Sequence, residues 1–261
     1  MKYGFIGCGN MGGAIARALS HSTEDIMISD PSEKARLLAE ELRCAYEDNN
    51  IVAETCDCIF LAVKPQVMGD VLMPVAPILC DRKPLIITMA AGLKISRIEA
   101  FIGTHLPVIR IMPNTPVSVG KGMILYTCND LVTKSSLETF LQDMGHAGQL
   151  DQLEEKLIDV ASALSGSGPA YMYQFLEAMA DGAAACGLSK EKAIVYAVAT
   201  MEGAAKMLMQ TGEEPSKLRD AVCSPGGSTI EGLKVLNKEG FSNAVQNCII
   251  AAYNRNLELG Q

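Results

Sequence analysis

A short apolar run, Tyr3 to Ile6, opens directly into Gly7-x-Gly9-x-x-Gly12. An amphipathic stretch with Ala14, Ile15, Ala18 and Leu19 at helical spacing follows. Strand, glycine turn and helix in that order leave few folds open. Gly7 permits a tight turn, Gly9 lets the backbone approach a pyrophosphate, and Gly12 lets the helix pack close to the strand. The helix N-terminus then offers unpaired N–H groups and a positive dipole end to phosphates. The pattern predicts a dinucleotide site, with an ordinary glycine-rich turn as the plainer alternative.

An acidic residue at the right distance favours the first reading. Ile26 to Ser29 reads as the second strand and ends at Asp30, eighteen residues past Gly12. An acid there hydrogen-bonds the ribose 2′-OH and favours NAD over NADP. The competing role is an N-cap for the helix that begins near Pro31 and Ser32. The sequence leaves both roles open, and Lys34 and Arg36 close by would soften the preference.

Further apolar strands are expected at Cys58–Val63, Leu85–Met89 and Val108–Met112. Fully apolar runs suit the interior of a parallel sheet. In open α/β sheets ligands sit beyond the carboxyl ends of the strands. Gly7–Gly12, Val63–Pro65, Ala90–Gly92 and Pro113–Thr115 are therefore expected on one rim. Gly122–Thr127 and a piece near His146–Leu150 read as extra strands at the far edge.

Strand-like runs stop near Asp151. Helices are expected over Asp151–Leu164, Tyr171–Cys186, from Ser189 to about Gln210, over Thr229–Lys238 and over Ser242–Leu259. The expected fold is α/β: an N-terminal Rossmann-type dinucleotide-binding domain over residues 1–150, then an all-α helical domain over 151–261. Two breaks interrupt the helices, Ser165–Pro169 and Ser224–Thr229. Each is either a carboxylate cradle of backbone N–H groups or plain helix capping.

A net charge of −8 with no Lys/Arg block argues against nucleic acid. No apolar run reaches the length of a membrane span. With a strand expected from residue 3, no signal peptide is expected. The nine cysteines are odd in number and none has C-x-x-C spacing, so reduced thiols in a cytoplasmic protein are expected. Three scattered histidines supply too few ligands for a metal site.

The chain resembles the pyrroline-5-carboxylate reductases. The likeness runs through Phe5-Ile6-Gly7-x-Gly9-x-Met11, Leu61-Ala62-Val63-Lys64-Pro65, Ala90-Ala91-Gly92 and Arg110-x-Met112-Pro113-Asn114-Thr115-Pro116. It continues through Ala163-Leu164-Ser165-Gly166-Ser167-Gly168-Pro169-Ala170-Tyr171 and Leu218-Arg219-Asp220-Ala221-Val222-x-Ser224-Pro225-Gly226-Gly227. The first block is generic; the last two together are specific to the family.

The resemblance implies reduction of the cyclic imine Δ1-pyrroline-5-carboxylate to L-proline, the last step of proline biosynthesis, by hydride from NADPH or NADH. It implies that Gly7, Cys8, Gly9, Asn10, Met11 and Gly12 hold the pyrophosphate. Asn49, Val63, Lys64, Pro65, Ala90, Ala91, Gly92 and Asn114 would then line the ribose and nicotinamide side, with Asp30 at the adenosine ribose. Ser224, Gly226, Gly227, Ser228 and Thr229 would bind the substrate carboxylate and ring nitrogen, with Thr229 as the catalytic hydroxyl and Glu155 as an acidic neighbour. The helical half would form an interlocked homodimer, in many members assembled further into rings. Two positions depart from the family pattern: Ser228, where Thr or Ala is commoner, and Asp30, where users of NADPH often carry a small polar residue. A β-hydroxyacid dehydrogenase shares the plan but needs a lysine early in the second domain, and Gly168–Tyr173 contains none.

Overall fold

The computed structural model describes residues 1–259. An eight-stranded sheet is formed by β1 (Tyr3–Ile6), β2 (Ile26–Ser29), β3 (Ala45–Tyr46), β4 (Cys58–Leu61), β5 (Leu85–Thr88), β6 (Val108–Met112), β7 (Gly122–Cys128) and β8 (Gly148–Gln152). Its spatial order is β3-β2-β1-β4-β5-β6-β7-β8. The strands from β1 to β6 are parallel; β7 pairs antiparallel with β6, and β8 parallel with β7. The order reverses between β1 and β4, which opens the ligand crevice of a doubly wound sheet there.

The helices of this part are α1 (Asn10–Leu19), α2 (Glu33–Leu42), α3 (Asn49–Thr55), α4 (Met68–Leu72), α5 (Ala76–Arg82), α6 (Ile95–Ile102), α7 (Lys134–Asp143) and α8 (Glu155–Ser165). They cover both faces of the sheet. Tyr3, Phe5 and Phe60 pack with Ile15, Leu38 and Phe140 on one face. Ile6, Ile59 and Leu61 pack with Val52, Leu79 and Ile98 on the other. Phe5 and Phe60 are register partners and stack with ring centroids 4.6 Å apart. Truncating such a buried ring to alanine costs about 3–5 kcal/mol.

The strand ends are flush. Ile6 is level with Ser29 and Leu61, and Leu61 with Thr88. The expected rim is therefore a physical edge, with Gly7, Asp30, Ala62 and Met89 each one step beyond it. β3 escaped the sequence reading because a strand of two residues carries no periodicity. The neighbouring Asp48-Asn49-Asn50 starts α3: the Asp48 carboxylate accepts from the N–H groups of Asn50 and Ile51.

The remaining helices are α9 (Gly168–Ala185), α10 (Lys190–Thr211), α11 (Pro215–Ala221), α12 (Ser228–Lys238) and α13 (Phe241–Leu259). By compactness the chain forms one unit from Met1–Ser167 with the end of α13 from Ala252, and a second from Gly168–Ala251. This division departs from the expected 150/151 boundary. β8 continues to Gln152, so the helix expected from Asp151 begins at Glu155. α8 then stays with the sheet unit, where Arg110 of β6 holds it through Asp159.

In the second unit Ser189 caps α10 by accepting from the Lys192 N–H. The Phe175 and Phe241 rings meet at 5.8 Å, and Lys190 pairs with Asp181 at 2.6 Å. Only Ala180, Ala193 and Ala197 are buried apolar residues between Gly168 and Ala251. Val195, Tyr196 and Met209 stand more than half exposed. A helical unit with so small a core leaves a large apolar surface of the kind that marks an interaction site.

Candidate active site

The glycine loop is held from behind by β2. The Gly7 N–H donates to the Ser29 carbonyl at 2.8 Å. The Cys8 N–H donates to Asp30 Oδ2 at 2.7 Å, and the Ser32 N–H to Asp30 Oδ1 at 2.8 Å. Asp30 is thus a brace between the loop and the start of α2, whose N-cap is Ser32. Burial by itself raises its pKa, but the hydrogen bonds from Ser32 and Cys8 outweigh it and hold the carboxyl below its usual value. The group is a fixed anion at neutral pH. The Cys8 thiol, buried and next to that anion, is pushed up to about 12 and stays protonated.

Each glycine of the loop has a distinct spatial reason. Gly7 has φ +85°, and a Cβ on it would lie 2.6 Å from Val63 Cγ1. A Cβ on Gly12 would lie 2.9 Å from the Ala62 methyl and 3.1 Å from the Gly7 carbonyl oxygen, so α1 crosses β1 and β4 at backbone contact. A Cβ on Gly9 would meet nothing within 4 Å. Gly9 therefore faces open space, where a phosphate can approach. It is also the N-cap of α1, with no side chain bonded to the first turn and no acid in it. These features fit a dinucleotide: the helix start presents N–H groups and a positive dipole end.

Beyond the ends of β1, β2 and β4 lies a cleft of about 580 Å³, lined by Gly7, Asp30, Tyr46, Glu47, Asn49 and Val63 among others. Ser29 Oγ donates to Asn49 Oδ1 at 2.7 Å, which fixes the amide at the cleft wall. The Tyr46 hydroxyl donates to the Asp30 carbonyl, so its ring forms a second wall. The sequence reading passed over Tyr46 because it sits on the unrecognised β3.

The other rim segments are as expected in place and more varied in role. Lys64 and Pro65 open a short 3₁₀ turn after β4. Ala90, Ala91 and Gly92 follow β5, with Gly92 at φ +76°. Asn114 is buried, and its amide is used within the fold: Nδ2 donates to the Ser165 carbonyl at 2.9 Å and Oδ1 accepts from the Met123 N–H at 2.9 Å. It ties β7 and α8 to the β6 terminus.

Glu155 opens α8, and its Oε1 accepts from the N–H of Ile95, the first residue of α6, at 2.7 Å. The same oxygen lies 3.6 Å from Arg110 Nη1. Arg110 and Asp159 complete a cluster that sequence reasoning did not identify. The signal was a lone arginine in an otherwise apolar strand, since burying such a charge requires a partner.

The two breaks differ. At Ser165–Pro169 the N–H groups of Gly166 and Ser167 both donate to the Ser162 carbonyl, and α9 resumes at Gly168. Those two donors are used by the end of α8. At Ser224–Thr229, Gly226 takes φ +71° and the Gly227 N–H donates to the Ser224 carbonyl at 3.0 Å. A Cβ on Gly227 would lie 2.4 Å from Ser224 Oγ and 3.1 Å from the Ser224 carbonyl oxygen, so a side chain there would displace the Ser224 hydroxyl. Gly227 caps α12 with no side-chain bond, and Ser228 and Thr229 are exposed at its first turn. The arrangement offers backbone N–H groups beside two hydroxyls, suited to a small carboxylate.

Two family models match this chain, one in each half. Residues 155–259 match the model described as pyrroline-5-carboxylate reductase dimerisation, and residues 2–92 the one described as NADP oxidoreductase, coenzyme F420-dependent. The pyrroline-5-carboxylate reductase of Escherichia coli (strain K12) is 40% identical over 250 residues, covering 94% of this chain and 93% of that one. The Plasmodium falciparum pyrroline carboxylate reductase, crystallised with NADP bound, superposes with a TM-score of 0.91 at 32% identity over 100% of this chain and 98% of that one. The Streptococcus pyogenes 1-pyrroline-5-carboxylate reductase gives 0.92 at 33% identity over 99% and 98%. A chain that carries the glycine loop, the braced acid and the uncapped α12, and that matches such proteins nearly end to end, belongs to the pyrroline-5-carboxylate reductase family.

Proposed function

We infer that this chain reduces Δ1-pyrroline-5-carboxylate to proline with NAD(P)H. The observation that carries the inference is the pairing of two helix starts with glycine at the N-cap in one chain, α1 behind Gly9 and α12 behind Gly227. One suits a pyrophosphate and the other a small carboxylate. A bound reduced nicotinamide supplies the hydride. The remaining work for the protein is placement, because an imine protonated on nitrogen already accepts hydride readily.

In this reading Gly7–Gly12 grip the pyrophosphate, Asp30 and Asn49 the adenosine ribose, and Val63–Pro65 with Ala90–Gly92 flank the nicotinamide. The N–H groups of Ser228 and Thr229 at the start of α12, with the Ser224 hydroxyl nearby, bind the substrate carboxylate. The Thr229 hydroxyl accepts the N–H of the iminium and so orients its carbon toward the hydride. The hydride adds to carbon, the C=N π pair moves to nitrogen, and the proton already on nitrogen remains there. No strong acid is needed. Glu155, bonded to the α6 terminus, acts on the site by positioning.

The helical unit buries only three alanines, and its matched segment is a dimerisation domain. We read it as one half of an interlocked homodimer in which the Ser224–Thr229 loop serves a dinucleotide held by the neighbouring subunit. No helix among the described residues is long and apolar enough to cross a membrane. The nine cysteines are all free, in keeping with a cytoplasmic setting.

The test is consumption of NADH or NADPH with formation of proline when the purified chain meets pyrroline-5-carboxylate. Turnover with neither cofactor would overturn the reading. Light scattering of the same sample should give the mass of a dimer or a multiple of it, and a monomer would overturn the interlocked arrangement.

A further inference from the structure

The adenosine end of the cleft has an unusual charge balance for a site open to both nicotinamide cofactors. The Asp30 carboxylate cannot swing away, because both its oxygens hold backbone N–H groups of the fold. Glu47 and Asp48 line the same cleft, and no Lys or Arg does among the described residues. The two cations that follow β2 are committed elsewhere. Arg36 is paired with Glu33 and Glu40 along its own helix. Lys34 Nζ donates to Asn10 Oδ1 at 2.6 Å, over the start of α1. A 2′-phosphate brings about two negative charges. Placed at this end of the cleft, it meets fixed carboxylates with no arginine fork to receive it. A 2′-hydroxyl in the same place can donate to Asp30.

We propose that this chain selects NADH over NADPH, and that Asp30, supported by Glu47, is the residue that rejects the 2′-phosphate. The proposal rests on the reading of this cleft as the dinucleotide site. Rejection by like charge is an effective means of discrimination, since it penalises the wrong ligand without weakening the right one.

The experiment is direct binding of NADH and NADPH to the assembled protein, followed by nicotinamide fluorescence with no pyrroline substrate present. NADH should bind at least about tenfold more tightly. Asp30→Ser should move the ratio of the two Kd values toward NADPH by about tenfold or more, and Glu47→Gln should move it the same way by a smaller factor. Equal binding, or tighter NADPH binding, by the unmodified protein would overturn the proposal. Should Asp30→Ser slacken the loop and lose both ligands, Glu47→Gln decides: an unmoved ratio there also overturns it. Failure of the reductase reading is told apart, because it appears as missing turnover while the binding ratio still stands. Binding of neither cofactor would remove the site reading and the preference together.

Discussion

Arg110 Nη2 lies 2.6 Å from Asp159 Oδ1, with the arginine side chain fully buried in β6 and the aspartate 13% exposed on α8. Arg110 Nε makes no hydrogen bond among the described residues, and Nη1 has Glu155 at 3.6 Å as its ionic neighbour. The cost of burying the guanidinium is offset only while both acids remain. The Asp159 carbonyl also accepts from Asn256 Nδ2 at 2.9 Å, so the pair sits where the last helix rejoins the sheet unit.

Removing one partner should therefore hurt more than removing both. Asp159→Leu should destabilise the protein by about 3–5 kcal/mol, because it strands a buried cation. Arg110→Met combined with Asp159→Leu should recover a large part of that loss. Denaturant unfolding of the two single variants and the double variant checks this. Additive losses, with the double variant falling by the sum of the two singles, would show that the pair is not coupled.

The glycine loop separates stability from binding. Gly12→Ala places a methyl 2.9 Å from the Ala62 methyl and should cost about 1–3 kcal/mol in unfolding free energy. Gly9→Ala meets no protein atom and should leave stability within about 0.5 kcal/mol. Dinucleotide affinity should still fall at least about tenfold, because the new methyl occupies the approach to the pyrophosphate. Unfolding curves and cofactor titrations on both variants test the contrast.

Acid should loosen the loop through Asp30. Its folded pKa lies below its unfolded value near ~3.9, so the stabilisation it provides is complete above that unfolded value. It is lost as pH falls through the folded pKa. The stability difference between the unmodified protein and Asp30→Ser should be constant from neutral pH to about pH 5 and shrink below about pH 4. A difference independent of pH down to the acid transition would show that the brace is not ionic.

Thr229→Ala should lower kcat by about tenfold to a hundredfold while leaving dinucleotide Kd unchanged, since only the orientation of the imine is lost. Thr229→Ser keeps the hydroxyl and should recover most of the rate. An unchanged rate in the alanine variant would remove Thr229 from the mechanism.

The parallel strands were legible in the sequence because they are apolar runs bounded by glycine or polar residues, unbroken at Cys58–Leu61 and interrupted only by Arg110 at Val108–Met112. The glycine loop was legible because backbone contact leaves only one residue type at Gly7 and Gly12. Lone interactions were not. Asp30 reads equally well as a helix cap, and only the fold shows its carboxylate bridging Cys8 and Ser32. The two glycine-rich breaks look alike in one dimension. Hydrogen bonding to Ser162 uses two donors of the first, Gly166 and Ser167, while α12 begins behind Gly227 without a side-chain cap.

The amino-acid order alone thus determined the doubly wound sheet, its ligand rim and the helical character of the second half, because those follow from local periodicity and steric demand. The tertiary structure decided which polar groups are committed to the fold: Asn114 as a clamp, Glu155 at the α6 terminus, and Arg110 against Asp159. Those bonds join residues from nine to sixty positions apart. Such pairings are set by how the chain packs, and no local pattern encodes them.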